Sequence, residues 1–132
     1  MDDAERLELI QEALEKLYAM AEDCVILVEG PNDVRALRNV GIDGEFFRIQ
    51  SDGGPIKAAE YVASRNRDAV ILTDWDDKGD IIAADVSEQL SALGVRHDLS
   101  VRKDLAALSK KFIKDVESLD SMLGRMSESG RT

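Results

Sequence analysis

The chain has 132 residues, a length that suits one domain of ordinary size, and 44% of them are hydrophobic, enough to build a core and to exclude a disordered tail. It carries 17 Lys+Arg against 27 Asp+Glu, for a formal net charge of −10. That balance excludes a protein that coats nucleic acid by neutralising many phosphates unaided, but not one that meets phosphate through a bound cation.

Residues up to about 22 read as a helix. Leu7, Ile10, Leu14, Leu17 and Ala21 recur at three- and four-residue steps, with Glu5, Glu8, Glu12 and Glu15 outside that stripe. The period then changes. Cys24-Val25-Ile26-Leu27-Val28 is continuous and rich in β-branched residues, the pattern of a strand covered on both faces. Gly30-Pro31 stops it, and Asn32 is expected to cap a helix from Asp33 to about Val40. Phe46 to Ile49 reads as a second strand, followed by the turn Ser51-Asp52-Gly53-Gly54-Pro55 and a helix from about Ile56 to Ser64. Ala69 to Thr73 is a third buried strand, running into Asp74-Trp75-Asp76-Asp77-Lys78-Gly79-Asp80. A helix over roughly Asp80 to Leu93 closes at Gly94, and Val95 to Val101 reads as a weaker strand. From Lys103 one long helix is expected, with Leu105, Leu108, Phe112, Val116, Leu119 and Leu123 on one face, and Ser127 to Thr132 should fray.

Strands alternating with helices predict an α/β fold of three layers: a mostly parallel four-stranded sheet covered by helices, with terminal helices over about 3–22 and 103–124. No repeat or linker divides the chain, so a single domain over 1–132 is expected. The one cysteine, Cys24, excludes an internal disulfide or a thiolate metal cluster and fits a reducing cytoplasm. Apolar runs such as Cys24–Val28 fall far short of the ~20 residues of a membrane span, and the acidic start Met1-Asp2-Asp3 does not read as a signal peptide. The expected setting is cytoplasmic, with no membrane partner.

Two strand ends carry acids where the apolar run stops: Glu29 after the first, Asp74 and Asp76 after the third. Ligands of open α/β sheets bind beyond the carboxyl ends of the strands. If the first and third strands are neighbours, these carboxylates converge, and alternation puts Asp74 and Asp76 on one side and Trp75 on the other while the chain stays extended. Clustered carboxylates repel one another, and a divalent cation removes that cost. All-oxygen ligands select Mg²⁺, or Mn²⁺ in its place, and two ions ~4 Å apart would suit a phosphoryl transfer. The competing reading makes Asp74, Asp76, Asp77 and Asp80 a solvated turn and helix cap.

Ile26-Leu27-Val28-Glu29-Gly30-Pro31-Asn32-Asp33-Val34, followed later by Leu72-Thr73-Asp74-Trp75-Asp76-Asp77-Lys78-Gly79, resembles the Toprim domain. That Rossmann-like domain is shared by bacterial primases, type IA and type II topoisomerases, overcoming-lysogenization-defect-type nucleases, recombination-mediator proteins and a ribosomal-RNA maturation nuclease. The resemblance covers about Asp23 to Leu99, and the whole chain is most similar to small stand-alone Toprim proteins of archaea and some bacteria. It implies that Asp74 and Asp76 are Mg²⁺ ligands, with Asp74 the bridge, and that Glu29 is a metal ligand or the general acid/base. Asp33 matches an acid that follows Glu-Gly in primase-like members, although capping its own helix explains it as well. Gly30 and Gly79 would serve tight turns beside the site. No winged-helix domain with a nucleophilic tyrosine is expected, since Tyr18 and Tyr61 fall within predicted helices, nor are the zinc-binding and helicase-contacting parts of a primase.

Beyond the acids, the turn over 51–55 has amides that could cradle a phosphate with Lys57 beside them, or it is an ordinary connection needing glycines. Arg35 and Arg38 lie one turn apart after Glu-Gly and could meet a nucleic-acid backbone, or face solvent. Arg102-Lys103 and Lys110-Lys111-Lys114 concentrate positive charge late in the chain, a candidate phosphate-tracking surface or a plain solvated face. A helix continuing past Lys114 would rule out C-terminal charge preference as the cause. His97 reads as structural. The expectation is Mg²⁺-dependent phosphodiester chemistry on RNA or DNA, most simply hydrolysis. The alternatives are a primase-like nucleotidyl transferase core and a non-catalytic nucleic-acid or ribonucleoprotein binding module. The apolar stripes of the terminal helices could serve a homodimer as well as the core.

Overall fold

The computed structural model describes residues 1–129. Along the chain run α1 (Asp3–Met20), β1 (Cys24–Val28), α2 (Pro31–Asn39), β2 (Glu45–Arg48), α3 (Pro55–Ser64), β3 (Asp68–Ile71), α4 (Asp77–Ala92), β4 (His97–Asp98), α5 (Ser100–Ser109) and α6 (Leu119–Ser129). The four strands form one sheet in the order β2-β1-β3-β4, and every ladder is parallel. Parallel strands need crossovers, and the helices between them cover both faces. All five residues of β1 are buried, as its unbroken apolar run requires.

Side-chain alternation along the strands divides the core in two. Cys24, Ile26, Val28, Val70 and Leu72 pack with α1, α2, α5 and α6. Val25, Leu27, Phe47, Ala69 and Ile71 pack with α3 and α4. The apolar stripe of α1 is spent here, with Ile10 and Leu17 fully buried. Asp2 caps α1 by accepting from the Glu5 N–H at 2.8 Å. No helix among the described residues is long and apolar enough to cross a membrane.

Several local expectations are corrected. The C-terminal helix is not continuous: α5 ends at Ser109, and an irregular segment separates it from α6. Phe112 sits in that segment with 51% of its surface exposed, so it leaves the buried stripe on which it was expected. The turn at Ser109 is tight, its hydroxyl donating back to Leu105 O at 2.6 Å. Lys110 is the C-cap of α5, and Lys111 and Lys114 follow it, so attraction to the helix carboxyl end accounts for part of this basic cluster after all. Asn32 is not a cap: α2 begins at Pro31 with Gly30 at the N-cap, and Asp33 closes that end from within the first turn. The weak fourth strand shrinks to His97–Asp98, and α4 starts at Asp77 rather than Asp80. Helix α6 runs through Ser129, past the point where fraying was expected, while 130–132 lie outside the described residues.

Candidate functional site

Strand order decides where the acids meet. With β1 between β2 and β3, successive connections leave it in opposite directions, so the carboxyl ends of β1 and β3 meet at the switch point of the sheet. Glu29 follows β1 directly and is 7% exposed. Asp74 lies in the loop after β3, and its N–H donates to Glu29 Oε2 at 2.8 Å. The two carboxyl groups are within hydrogen-bonding reach of each other. Backbone pairing of β1 with β2 continues past the strand ends, Gln50 N–H donating to Glu29 O at 3.0 Å. That continuation brings Gln50 Nε2 to Glu29 Oε1 at 3.3 Å.

Burial, followed by the charges of Glu29 and Asp33, pushes the Asp74 carboxyl up to about 8, against the Val116 N–H that favours its ionised form. That N–H donates to Asp74 Oδ1 at 2.9 Å. Near neutral pH the Asp74 carboxyl therefore favours its protonated form. Burial also raises Asp33, while the N–H groups of Gly30 (2.9 Å) and Glu29 (3.2 Å) donate to its Oδ2 and oppose the rise. Asp33 thus caps its own helix and adds negative potential to the site.

Asp76 N-caps α4, its Oδ1 accepting from the Gly79 N–H at 2.7 Å. One of its oxygens is therefore committed to the helix. Among the described residues, no three His, Cys, Asp or Glu side chains form a ready chelate for one ion. The donors are tied instead to backbone amides.

The Asp74–Asp76 loop is held from outside by groups that the sequence did not advertise. Arg102, only 13% exposed in its side chain, donates from Nε to Thr73 O at 3.0 Å, from Nη2 to Asp74 O, and pairs with Asp80 at 2.7 Å. It is an internal anchor and not part of a phosphate-tracking face. Trp75 donates from its backbone to Lys114 O at 2.9 Å and from its indole to Ile113 O at 2.8 Å. Trp75 and Asp74 both lean on residues 113–116, so the simple two-sided alternation ends with the strand. The Thr73 hydroxyl donates to Gly79 O at 2.8 Å, binding the loop to α4. A Cβ on Gly79 would stand 1.8 Å from Asp74 O, so glycine is obligatory there. At Gly30 a Cβ would meet nothing within 4 Å and φ is −154°, so the expected need for glycine does not hold.

The remaining candidates lie apart from this pair. In the 51–55 turn, Gly53 and Gly54 have φ of 123° and 96°, a conformation that favours glycine. The amides of Asp52 and Gly54 donate at 2.7 Å to Arg48 O and Ile49 O, so they are spent inside the turn and do not open towards a phosphate. Lys57, Lys110, Lys111 and Lys114 make no side-chain hydrogen bond or ion pair among the described residues. Arg35 and Arg38 project from the exposed side of α2. His97 bridges the Ser87 hydroxyl (2.8 Å) and Val95 O (3.0 Å), a structural role.

The chain has relatives. A UPF0292 protein of Methanosarcina barkeri is 37% identical over 122 residues, 92% of this chain and 85% of that one. The chain belongs to the UPF0292 family. Another member, from Methanocaldococcus jannaschii, is 31% identical over 121 residues, 92% of this chain and 94% of that one. A solved structure of a protein from Aquifex aeolicus shares the fold with a TM-score of 0.69 and 27% identity, covering 82% of this chain and 95% of that one. No family model matches the chain.

Proposed function

We propose that this UPF0292 protein carries out Mg²⁺-dependent phosphodiester hydrolysis on nucleic acid in the cytoplasm. The observation that carries the reading is the meeting of Glu29 with Asp74 at the switch point of a parallel sheet, where the Asp74 carboxyl is pushed up to about 8. A structural ion pair would set a cation beside buried acids, yet here acid faces acid, and perturbed carboxyls in a crevice are a signature of functional sites. The Toprim resemblance of these positions points the same way.

The donors suit a hard cation. They are all oxygen, and the clustered acids that raise Asp74 are relieved by a cation as they are by a proton. Mg²⁺ retains much of its water and needs only one or two carboxylates, so the lack of a three-acid chelate is compatible with it. Asp74 would hold the ion, with the uncommitted oxygen of Asp76 beside it, and Glu29 would either complete that shell or move the proton; a second ion and Mn²⁺ substitution belong to the same reading. When bound, such an ion supplies charge neutralisation at the phosphate and an activated water. The chain's own contributions are separate. Gln50 and the Asp74 N–H orient the Glu29 carboxylate, which can take a proton from the attacking water. Arg102 and Trp75 keep the Asp74 backbone fixed while charge builds nearby.

The test is cleavage of labelled single- and double-stranded RNA and DNA with Mg²⁺, comparing wild type with Asp76→Asn. Asparagine caps a helix about as well as aspartate, so the variant should fold normally and lose cleavage. Equal cleavage by purified wild type and Asp76→Asn overturns the reading, as does an inactive wild type that binds no divalent ion.

A further inference from the structure

A concavity of about 520 Å³ lies beside the acids, along the open edge of the sheet, lined by Pro31, Val34, Arg35, Arg38, Phe46 and Arg48 among others. Its position follows from the register. Arg48 pairs with Val28, the residue before Glu29, and Phe46 pairs with Ile26. Phe46 and Arg48 share a face of β2, so the groove floor advances ~7 Å over these two residues towards the Glu29 end of the sheet. The next residue on that path, Gln50, touches Glu29.

The lining is cationic and aromatic in a chain whose net charge is −10. The Arg38 guanidinium stands 5.5 Å from the Phe46 ring centroid. Arg48 is bound to Asp52 at 2.8 Å, and Asp120 accepts from Asn39 at 2.9 Å, its carboxyl held down by that bond and, more weakly, by the Arg35 charge. Arg35 and Arg38 form no ion pair among the described residues. Core packing leaves these two arginines on the exposed side of α2, Arg38 lying over Phe46 in the last turn of the helix and Arg35 within electrostatic reach of Asp120.

We propose that this groove between α2 and β2 is the strand-entry subsite for single-stranded nucleic acid, with a base stacked on Phe46 and Arg38 and phosphates met by Arg35 and Arg38. The inference rests on the proposed phosphodiester chemistry for its direction, because the groove leads to Glu29. A guanidinium laid over an aromatic ring offers unpaired bases a flat cationic platform regardless of sequence, whereas a duplex keeps its bases stacked on each other.

The experiment is fluorescence anisotropy of a fluorescein-labelled single strand of about 12 nucleotides, with EDTA present so that no metal bridges the partners. An unlabelled duplex of the same sequence serves as competitor. The Arg35→Glu, Arg38→Glu double variant should bind at least about tenfold more weakly and lower the salt slope by about 1.4, the contribution of two contacts on a single strand. Phe46→Leu should also weaken binding, and Phe46→Tyr should restore it, which separates stacking from a folding defect. Equal affinity of wild type and the arginine variant, no saturable binding by wild type, or preference for the duplex overturns the subsite. The two proposals fail separately. Arginine-dependent binding without Mg²⁺ cleavage upholds the groove and defeats hydrolysis; cleavage with unchanged KM in the arginine variant does the reverse.

Discussion

Gly79→Ala probes the junction that holds the Asp74–Asp76 loop against α4. In an open helix this change stabilises by ~1 kcal/mol, because alanine has less backbone freedom to lose. Here the added Cβ would lie 1.8 Å from Asp74 O, 2.5 Å from Asp74 C and 3.0 Å from Asp76 Oδ1. Normal contact requires about 3.5 Å, so something must move by more than ~1.5 Å. The Asp74 carbonyl is pinned by Arg102, and its amide by Glu29. The start of α4 must therefore retreat, weakening the Asp76 cap on Gly79 N–H and the bond from Thr73 to Gly79 O. A lost cap costs ~1 kcal/mol, a buried hydroxyl left without its acceptor about as much, and overpacking ~1–3 kcal/mol. After the helix gain is subtracted, the expected loss is ~2–4 kcal/mol, or a Tm lower by roughly 6–15 °C in a chain of this size. Thermal unfolding followed by circular dichroism measures it, with Trp75 emission reporting on the loop. A Tm equal to or above that of wild type would refute the close approach and the loop geometry built on it.

Other consequences follow from the same contacts. Because the folded Asp74 carboxyl is raised to about 8, the native state binds more protons than the unfolded chain from about pH 4 upwards. Metal-free stability should therefore fall as pH rises from about 4 to about 8 and then level off, by ~2 kcal/mol once solvent screening of a half-buried group is allowed for. Urea titrations should show this slope shrink in Asp74→Asn, with the raised Asp33 carboxyl leaving a smaller remainder, and a wild-type stability that rises over the same range would contradict the raised carboxyl. Mg²⁺ at a hundredfold excess over its Kd should add ~2.7 kcal/mol to wild-type stability, and no addition in Asp74→Asn. Arg102→Ala removes donors to two backbone carbonyls and should cost ~2–3 kcal/mol in chemical denaturation, with Arg102→Lys recovering only part; a neutral Arg102→Ala would mean the loop holds itself. Mn²⁺ should quench Trp75 along one saturable curve, lost in the Asp74→Asn, Asp76→Asn double variant; quenching that survives places the ion elsewhere.

Much of this molecule is legible in the chain itself. The burial of β1 on both faces is written in Cys24–Val28, and the alternation of apolar strands with helical stripes fixes a parallel three-layer fold, since local periodicity records which side of an element avoids water. The placement of Glu29 and of Asp74 at strand ends is equally local. Periodicity does not record which neighbour an element finds. Only the order β2-β1-β3-β4 made Glu29 and Asp74 partners, and only the tertiary structure turned Arg102 inward onto Thr73 and Asp74. The break between α5 and α6 has the same origin. Residues 105–123 carry a helical stripe without proline, but the Trp75 N–H groups take the carbonyls of Ile113 and Lys114, and Val116 N–H goes to Asp74. Backbone groups recruited by a distant loop cannot also close helical turns, and such long-range hydrogen bonds leave no pattern in the segment that makes them.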